Sequence, residues 1–314
     1  MLNKLKYFSA RIKETAGRNV LYHLCRMTYM KTIVGFGAED YFIYQLYRKK
    51  PAQWKRIMTG KQARDFERKV NDPQGSKVLG DKRTFNKQFG AYTKRDYLYL
   101  YNATPEEFST FCRKHPDFML KKNWLCEGQG IQRCHLSGEQ EINSFYLENK
   151  GDALVEELIV QHPAMNALHP QSVNTVRVST LYAHGKAQII AAALRIGTGE
   201  NCTDNLHNSG IACPVDITSG TVVGNGYDKA GNESEKHPDT GIALKGFRIP
   251  NWNSVTETVI TAAEEIPTVR WIGWDVAVTK DGCQIVEGNT NQAVDLIQIG
   301  QEGIWPKIKH ICSE

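Results

Sequence analysis

Two apolar segments near the end of the chain, WIGWDVAV (residues 271–278) and CQIVEGN (residues 283–289), constrain the fold most strongly. Alternation along the first segment puts Asp275 on one face of a strand and apolar side chains on the other. The apolar side chains are those of Ile272, Trp274, Val276 and Val278. A turn containing Asp281-Gly282 joins the segments, which is typical of a β-hairpin. We therefore predict an antiparallel sheet with one apolar face and one face that carries acidic residues.

The length of the turn decides whether Asp275 lies beside Glu287. A two-residue loop of Asp281 and Gly282 would put the two carboxylates on opposite faces. A three-residue loop that begins at Lys280 would set them side by side, and such loops with Gly in the left-handed position are common. We predict the three-residue loop.

Two carboxylates opposite each other in a strand pair repel, which costs stability unless a cation lies between them. Asn289 adds a third oxygen on the face of Glu287. An oxygen-only set suits Mg²⁺, which takes one or two carboxylates and completes its shell with phosphate oxygens and water. The alternative is an exposed sheet edge with solvated acids. The stretch EGNTN is poor in strand-forming residues, which favours the metal site.

The composition of the whole chain excludes several classes of protein. Hydrophobic residues make up 41% and charged residues 23% of the 314 residues, the balance of a folded soluble protein. Apolar runs are too short to cross a bilayer, and the first residues mix charges with apolar side chains, unlike a secretory signal. We therefore expect a cytoplasmic protein. The eight cysteines form no CxxC pair, so a zinc site is not predicted.

Positive charge is concentrated at the beginning of the chain. Residues 1–72 contain sixteen Lys and Arg against six Asp and Glu, a net charge of +10, whereas the whole chain carries +5. Such a region could lie on an anionic membrane surface or bind a polyanion. We favour a helical subdomain with a solvated basic face. Basic and aromatic residues are not interleaved as in an RNA-binding sheet, so we expect no nucleic acid partner.

Local patterns predict an α+β chain in three regions. Residues 1–76 are predicted as a basic helical region that ends in a turn at NDPQGS. Residues 77–150 mix helices and strands, and residues 151–314 are dominated by strands. Thr104 and Ser254 each begin a predicted helix with a capping box.

The order of motifs between residues 78 and 300 resembles that of the ATP-grasp enzymes. The stretches that carry the resemblance are LGDKRTFNKQF, FMLKKNWLCEGQGI, ALVEELIVQH and DVAVTKDGCQIVEGNTN. The resemblance implies an ATP-grasp fold, two α+β lobes with the nucleotide between them, and ATP and Mg²⁺ as cofactors. The implied magnesium ligands are Asp275, Glu287 and Asn289. The implied nucleotide-binding residues are Lys82, Lys121, Gly128 and Gly130 for the phosphates, Glu156, Glu157 and Ile159 for the base, and Gln161 for the ribose.

Further stretches of the sequence resemble two particular groups of ATP-grasp proteins. SVNTVRVSTLY, AALRI and TDNLHNSG resemble the core of the ribosomal-protein glutamate ligases, which implies catalytic roles for Arg177, Arg195 and Asn205. DYFIYQLYRKK and QHPAMNALHPQSVNTVR are most similar to the sugar-transfer-associated ATP-grasp proteins. The chain departs from the pattern at Lys122, at Ser209, and after EGNTN, where the common Ser-Pro-Gly is missing.

The resemblance implies an ADP-forming carboxylate–amine ligase that activates a carboxylate as an acyl phosphate and joins it to an amine or hydroxyl. The expected setting is polysaccharide, cell-envelope or related conjugate biosynthesis, with small-molecule or saccharide substrates. The basic helices could add a peripheral membrane or polyanion contact. A phosphotransferase acting on a hydroxyl is the main alternative, and a non-enzymatic module of an envelope-assembly complex is the second.

Overall fold

The computed structural model describes residues 2–16, 19–122, 130–151, 153–206 and 209–313. The α-helices are α1 (Leu2–Thr15), α2 (Val20–Tyr29), α3 (Asp40–Ile43), α4 (Pro51–Trp54), α5 (Gly60–Val70), α6 (Pro73–Gly80), α7 (Lys82–Thr93), α8 (Pro105–Lys114), α9 (Glu139–Asn149), α10 (Pro163–Leu168), α11 (Trp252–Glu264), α12 (Val294–Gln298) and α13 (Trp305–Ser313). Helix α2 continues as a π-helical turn, Met30–Val34, and a 3₁₀ turn spans Leu46–Arg48.

The strands form two antiparallel sheets. They are β1 (Tyr97–Tyr99), β2 (Asp117–Lys122), β3 (Ile131–His135), β4 (Ala153–Glu157), β5 (Thr175–Ala183), β6 (Lys186–Ile196), β7 (Ile211–Asp216), β8 (Thr221–Val222), β9 (Gly226–Tyr227), β10 (Glu233–Ser234), β11 (Trp271–Thr279) and β12 (Gly282–Asn289). The smaller sheet has the order β1-β4-β2-β3, and the larger sheet has the order β10-β9-β7-β6-β5-β11-β12 with β8 beside β7. The predicted α+β class is confirmed. Strand β4 lies in the smaller sheet, although the predicted boundary at residue 151 would place it with the larger one.

The larger sheet is buried on both faces. On one face, the apolar residues predicted from alternation in β11 pack with helices α7 and α11, and Trp274 is fully buried there. On the other face, the N-terminal helices and α12 bury residues such as Ile12, Phe42 and Leu296 against the sheet. Because close packing of apolar surface is the main stabilising contribution in such a core, the basic N-terminal region is part of the folded body.

The smaller sheet has its own core, in which Phe108 and Phe118 are fully buried. Helix α8 covers it and begins as predicted. The Thr104 hydroxyl accepts from the Glu107 amide at 3.2 Å, and the Glu107 carboxylate accepts from the Thr104 amide at 2.7 Å. This reciprocal capping box satisfies two backbone donors that a helix start otherwise leaves open.

Two predicted helix boundaries are wrong. The predicted turn at NDPQGS is the start of α6, where the Asp72 carboxylate accepts from the Gly75 amide at 2.7 Å and Pro73 occupies the first helical position. Helix α11 begins at Trp252 rather than with the predicted capping box at Ser254. Among the described residues, no helix has both the length and the apolar character that crossing a bilayer requires.

Candidate active site

The hairpin of β11 and β12 brings the two predicted carboxylates together. Asp275 pairs directly with Glu287, and Asn289 lies two residues farther along the same strand. The predicted three-residue loop is wrong, because Thr279 pairs with Gly282 across a two-residue loop. The register instead shifts by one residue between Asp275 and Val276, and this β-bulge sets the carboxylates opposite each other.

A buried arginine stabilises the bulge. Nη1 of Arg95 donates to the carbonyl of Ile285 at 2.8 Å, and Nη2 donates to the carbonyl of Val286 at 3.2 Å. Nε of the same side chain donates to the Glu156 carboxylate in β4 at 3.0 Å. Arg95 therefore ties the smaller sheet to the part of the hairpin that determines the register. No local pattern in the sequence reveals this role, since the partners of Arg95 in β12 lie about 190 residues away.

Asp275 is a buried carboxylate held by two arginines. Arg177 binds it through Nε at 2.5 Å and Nη2 at 2.9 Å, and Arg195 binds it through Nη1 at 2.7 Å. Burial raises the pKa of Asp275, but the Arg177 and Arg195 charges outweigh burial and hold that pKa well below its usual range. Asp275 therefore carries its negative charge at neutral pH.

The two arginines differ in what remains available for a substrate. The third Arg177 nitrogen, Nη1, donates to the Gln292 carbonyl at 3.3 Å, so all three nitrogens bind protein atoms. Arg195 also pairs with Asp204 at 3.0 Å, but its buried Nε has no hydrogen-bond partner among the described residues. Because an unsatisfied buried donor is costly, Arg195 is the better candidate to meet an anionic substrate. Arg177 orients Asp275, and because each of its Nη atoms carries two N–H groups, its predicted contact with the γ-phosphate stays a prediction.

Asp204 anchors this arrangement and was not identified from the sequence. It is buried and accepts from the Thr175 amide at 2.8 Å and the Thr175 hydroxyl at 2.5 Å while it pairs with Arg195. The predicted catalytic residue Asn205 follows directly, half-buried, and its carbonyl accepts from the Gly210 amide at 3.1 Å. Ser209 has a φ of +67°, the left-handed conformation that favours the glycine of the family pattern.

Glu287 completes the acidic pair and remains accessible. The residue is exposed, and its Oε1 accepts from Asn289 Nδ2 at 3.1 Å. Desolvation by the surrounding protein raises the pKa of Glu287, and the negative charge of Asp275 raises it further. A divalent cation between the two carboxylates would remove this repulsion.

The donor set fits magnesium. An ionised carboxylate offers about four lone-pair sites, and Asp275 already uses three of them for arginine. Glu287 would thus be the main ligand for the cation and Asp275 a single-site ligand. Asn289 presents its amide nitrogen to Glu287, and a half-turn of the amide would present its oxygen.

Of the two predicted phosphate-binding lysines, Lys121 contacts Glu156 and Lys82 begins helix α7. Lys121 Nζ donates to the Glu156 carboxylate at 2.5 Å, and Asn86 Nδ2 donates to its other oxygen at 3.2 Å. Lys82 begins α7 one turn before Asn86, so the two share a helix face. Burial raises the pKa of Glu156, but Arg95 and Lys121 hold it well below its usual range. The Glu156 side chain therefore serves to position these groups rather than to read a base.

The other predicted nucleotide residues fall into three groups. Glu157 and Ile159 are half-buried at and beyond the end of β4. Gly130 has a φ of +68°, which suits a loop end, and its carbonyl accepts from the Lys122 amide, while Gly128 lies outside the described residues. Gln161 binds the Ser172 carbonyl through Nε2 at 2.7 Å and the Asn174 amide through Oε1 at 3.0 Å. Both ends of the Gln161 amide are hydrogen-bonded within the core, which leaves neither end for the predicted ribose contact.

With this geometry established, the chain was compared with known proteins. The sequence model of the sugar-transfer-associated ATP-grasp family matches residues 61–313 of the chain. The chain belongs to this family. The predicted family and ATP-grasp fold are therefore confirmed. None of the curated proteins compared with the chain matches it.

Solved structures of ATP-grasp proteins are similar to the chain at low sequence identity. The ATP-grasp ligase PsnB with its minimal precursor has a TM-score of 0.46 and 13% identity, covering 80% of this chain and 67% of that one. The biotin carboxylase domain of Hydrogenobacter thermophilus 2-oxoglutarate carboxylase has a TM-score of 0.45 and 16% identity, and the match covers 74% of this chain and 45% of that one. N5-carboxyaminoimidazole synthase from Aspergillus clavatus has a TM-score of 0.43 and 8% identity, and the match covers 74% of this chain and 50% of that one. The chain thus spans about half to two thirds of the length of these proteins.

Gln292 is a further candidate for the site that the sequence did not reveal. It is 2% exposed, and neither end of its amide has a hydrogen-bond partner within the described part of the chain. A Cβ on Gly273, which lies beside Asn289, would come within 3.1 Å of its Oε1. Since buried polar groups are nearly always bonded, a substrate group or water is expected to meet this amide. The missing Ser-Pro-Gly after EGNTN was the available signal.

The ion pairs of Glu156 predict a pH dependence of stability. In the unfolded chain a glutamate has a pKa of about 4.3, whereas the folded pKa of Glu156 is held well below its usual range. Its contribution is complete above the unfolded pKa and is lost as the pH falls through the folded pKa. We expect the free energy of unfolding, measured in urea, to fall more steeply between about pH 4.5 and about pH 2.5 in the wild type than in Glu156→Gln. The exposed Glu148→Gln is the control and should keep the wild-type slope. Equal slopes in the wild type and Glu156→Gln would contradict the account.

Proposed function

We propose that the chain is an ATP-dependent, ADP-forming ligase that activates a carboxylate as an acyl phosphate and joins it to an amine or a hydroxyl. The observation that carries the proposal is the Arg195–Asp275–Glu287 cluster on one face of the larger sheet. It combines a buried cation that has one unsatisfied donor with a carboxylate pair suited to magnesium. Such fixed charges stabilise the charge that develops on a transferring phosphoryl group.

The nucleotide would lie between the smaller sheet and the hairpin. In this proposal Lys82 and Lys121 contact the phosphates, and Gly128 and Gly130 cover them through backbone amides. Glu157 and Ile159 would lie beside the base. Magnesium held by Asp275, Glu287 and Asn289 would supply charge neutralisation along the phosphates when bound.

The substrate carboxylate would attack the γ-phosphorus, and the bond to the β-phosphate oxygen would break with release of ADP. Arg195, through its unsatisfied Nε, would bind the acyl phosphate together with Asn205. Arg177 would hold Asp275 in place and donate to the γ-phosphate from the remaining N–H groups of its Nη atoms. An incoming amine or hydroxyl would then attack the acyl carbon, lose its proton and displace inorganic phosphate.

The test is phosphorus NMR of Mg·ATP incubated with the protein and with pooled amino acids, uronic acids and amino sugars. We expect ADP and free phosphate in equal amounts, and only when a carboxylate and a nucleophile are both present. Uronic acids and amino sugars as the best substrates would support polysaccharide or cell-envelope conjugate synthesis, which the family description suggests. Phosphate transferred to an acceptor hydroxyl would instead make the protein a phosphotransferase and would overturn the ligase proposal.

A further inference from the structure

Helix α2 and the π-helical turn after it expose large apolar side chains on their outer side. Leu21 is 73% exposed, Tyr29 is 49% exposed and Ile33 is 71% exposed. With the exposed Cys25, these residues recur every four positions, so they form one stripe, called here the outer stripe. The buried residues of the same segment, His23, Met27 and Met30, face the body of the protein. The inward face of α2 is therefore already packed, whereas the outer stripe meets solvent.

The two threonines beside the outer stripe use their hydroxyl protons within the helix. The hydroxyl of Thr28 donates to the Leu24 carbonyl at 2.9 Å, and the hydroxyl of Thr32 donates to the Thr28 carbonyl at 2.8 Å. Threonines bonded back to the helix in this way do not offer their hydroxyl proton to water. The outer surface of the segment is consequently more apolar than its composition suggests.

Charge along the segment that carries the outer stripe has one sign. The sequence contains no Asp or Glu between Glu14 and Glu39, whereas Arg26 and Lys31 fall within this interval. Residues 1–72 carry a net charge of +10. The exposed Tyr22 lies beside the stripe and accepts from Arg26 Nη1 at 3.3 Å. Tyrosine and basic residues around an apolar stripe are the pattern of helices that lie in a membrane interface.

We propose that the outer stripe docks on an anionic lipid bilayer, with Leu21 and Ile33 entering the boundary between headgroups and acyl chains. A soluble polyanion would complement the basic charge but would gain nothing from an exposed apolar stripe. A second copy of the chain would bring a region of +10 against another of +10, which repel each other. The bilayer satisfies both the charge and the apolar surface. This inference does not depend on the proposed ligase chemistry, because the stripe faces away from the sheet that carries the site.

The test uses the full chain in co-sedimentation with vesicles of phosphatidylcholine alone or with 30% phosphatidylglycerol. We expect binding to the anionic vesicles and a loss of affinity of about ten-fold or more in the double variant Leu21→Ser, Ile33→Ser. The variant Leu147→Ser is the control, since Leu147 is 63% exposed on α9 in another region of the chain. Mg·ATP turnover should be the same in all three proteins.

Three outcomes would overturn the proposal. The first is binding to anionic vesicles that the double variant leaves unchanged. The second is equally tight binding to a soluble polyanion such as heparin that the serine substitutions do not weaken. The third is a dimer in sedimentation that the double variant dissociates, with no vesicle binding, because the stripe would then be an interface between copies of the chain.

Discussion

Replacement of Glu287 with Gln is expected to lower Mg·ATP turnover by about 10²–10³-fold. Glu287 is the accessible member of the carboxylate pair and the main proposed magnesium ligand, and a neutral amide is a much weaker ligand for a hard cation. Turnover is measured as ADP release with saturating ATP across a magnesium titration. Asp281→Asn, at the exposed turn of the same hairpin, should retain wild-type turnover.

The same substitution is expected to leave stability unchanged or slightly higher. Like charges opposite each other in a strand pair destabilise a fold by roughly 0.2–1 kcal/mol, and Glu287→Gln removes one of them. Loss of turnover together with preserved stability in urea would separate a functional role from a structural one. Full turnover in Glu287→Gln, or a stability loss large enough to explain the lost activity, would contradict the assignment.

Replacement of Arg95 with Met is expected to destabilise the protein by about 3–5 kcal/mol. The substitution leaves Glu156 buried with less compensating charge and removes the donors to the Ile285 and Val286 carbonyls at the bulge. Unfolding in urea measures the change. Because the bulge sets Asp275 opposite Glu287, turnover should also fall under conditions in which the variant is folded.

The control for Arg95 is Arg133→Met. Arg133 is in the same lobe and pairs with Asp117 at 3.5 Å, but its side chain is 65% exposed. Exposed ion pairs contribute roughly 0–1 kcal/mol, so this variant should remain close to the wild type. Similar losses of stability in the two variants would contradict the proposal that the buried contacts of Arg95 stabilise the fold.

Predictions from the sequence were correct where neighbouring residues determine the structure. The capping box at Thr104 is local, because the cap, the proline and the acid all lie within four consecutive residues. The faces of β11 follow from strict alternation. The pattern at Asp72-Pro73 is equally local, but it is ambiguous between a turn and a helix start, and the turn was the wrong interpretation.

The features that the sequence did not predict depend on distant contacts. The hairpin register comes from a bulge whose carbonyls bind Arg95, which lies about 190 residues away, so counting turn residues could not reveal it. The roles of Arg177 and Arg195 differ only through their partners. Gln161 matches the family pattern in position, yet its amide is used within the core. In each case tertiary contacts determine what the side chain can do.

The most direct test of the ligase proposal is oxygen transfer from the substrate carboxylate to phosphate. The reaction is run with Mg·ATP, a nucleophile and a carboxylate labelled with ¹⁸O, and the label is detected by its isotope shift in the phosphorus NMR signal. Attack on the γ-phosphorus followed by displacement at the acyl carbon requires one carboxylate oxygen to leave with phosphate. The account predicts inorganic phosphate carrying a single ¹⁸O. Unlabelled phosphate, or phosphate bonded to an acceptor hydroxyl, would contradict it.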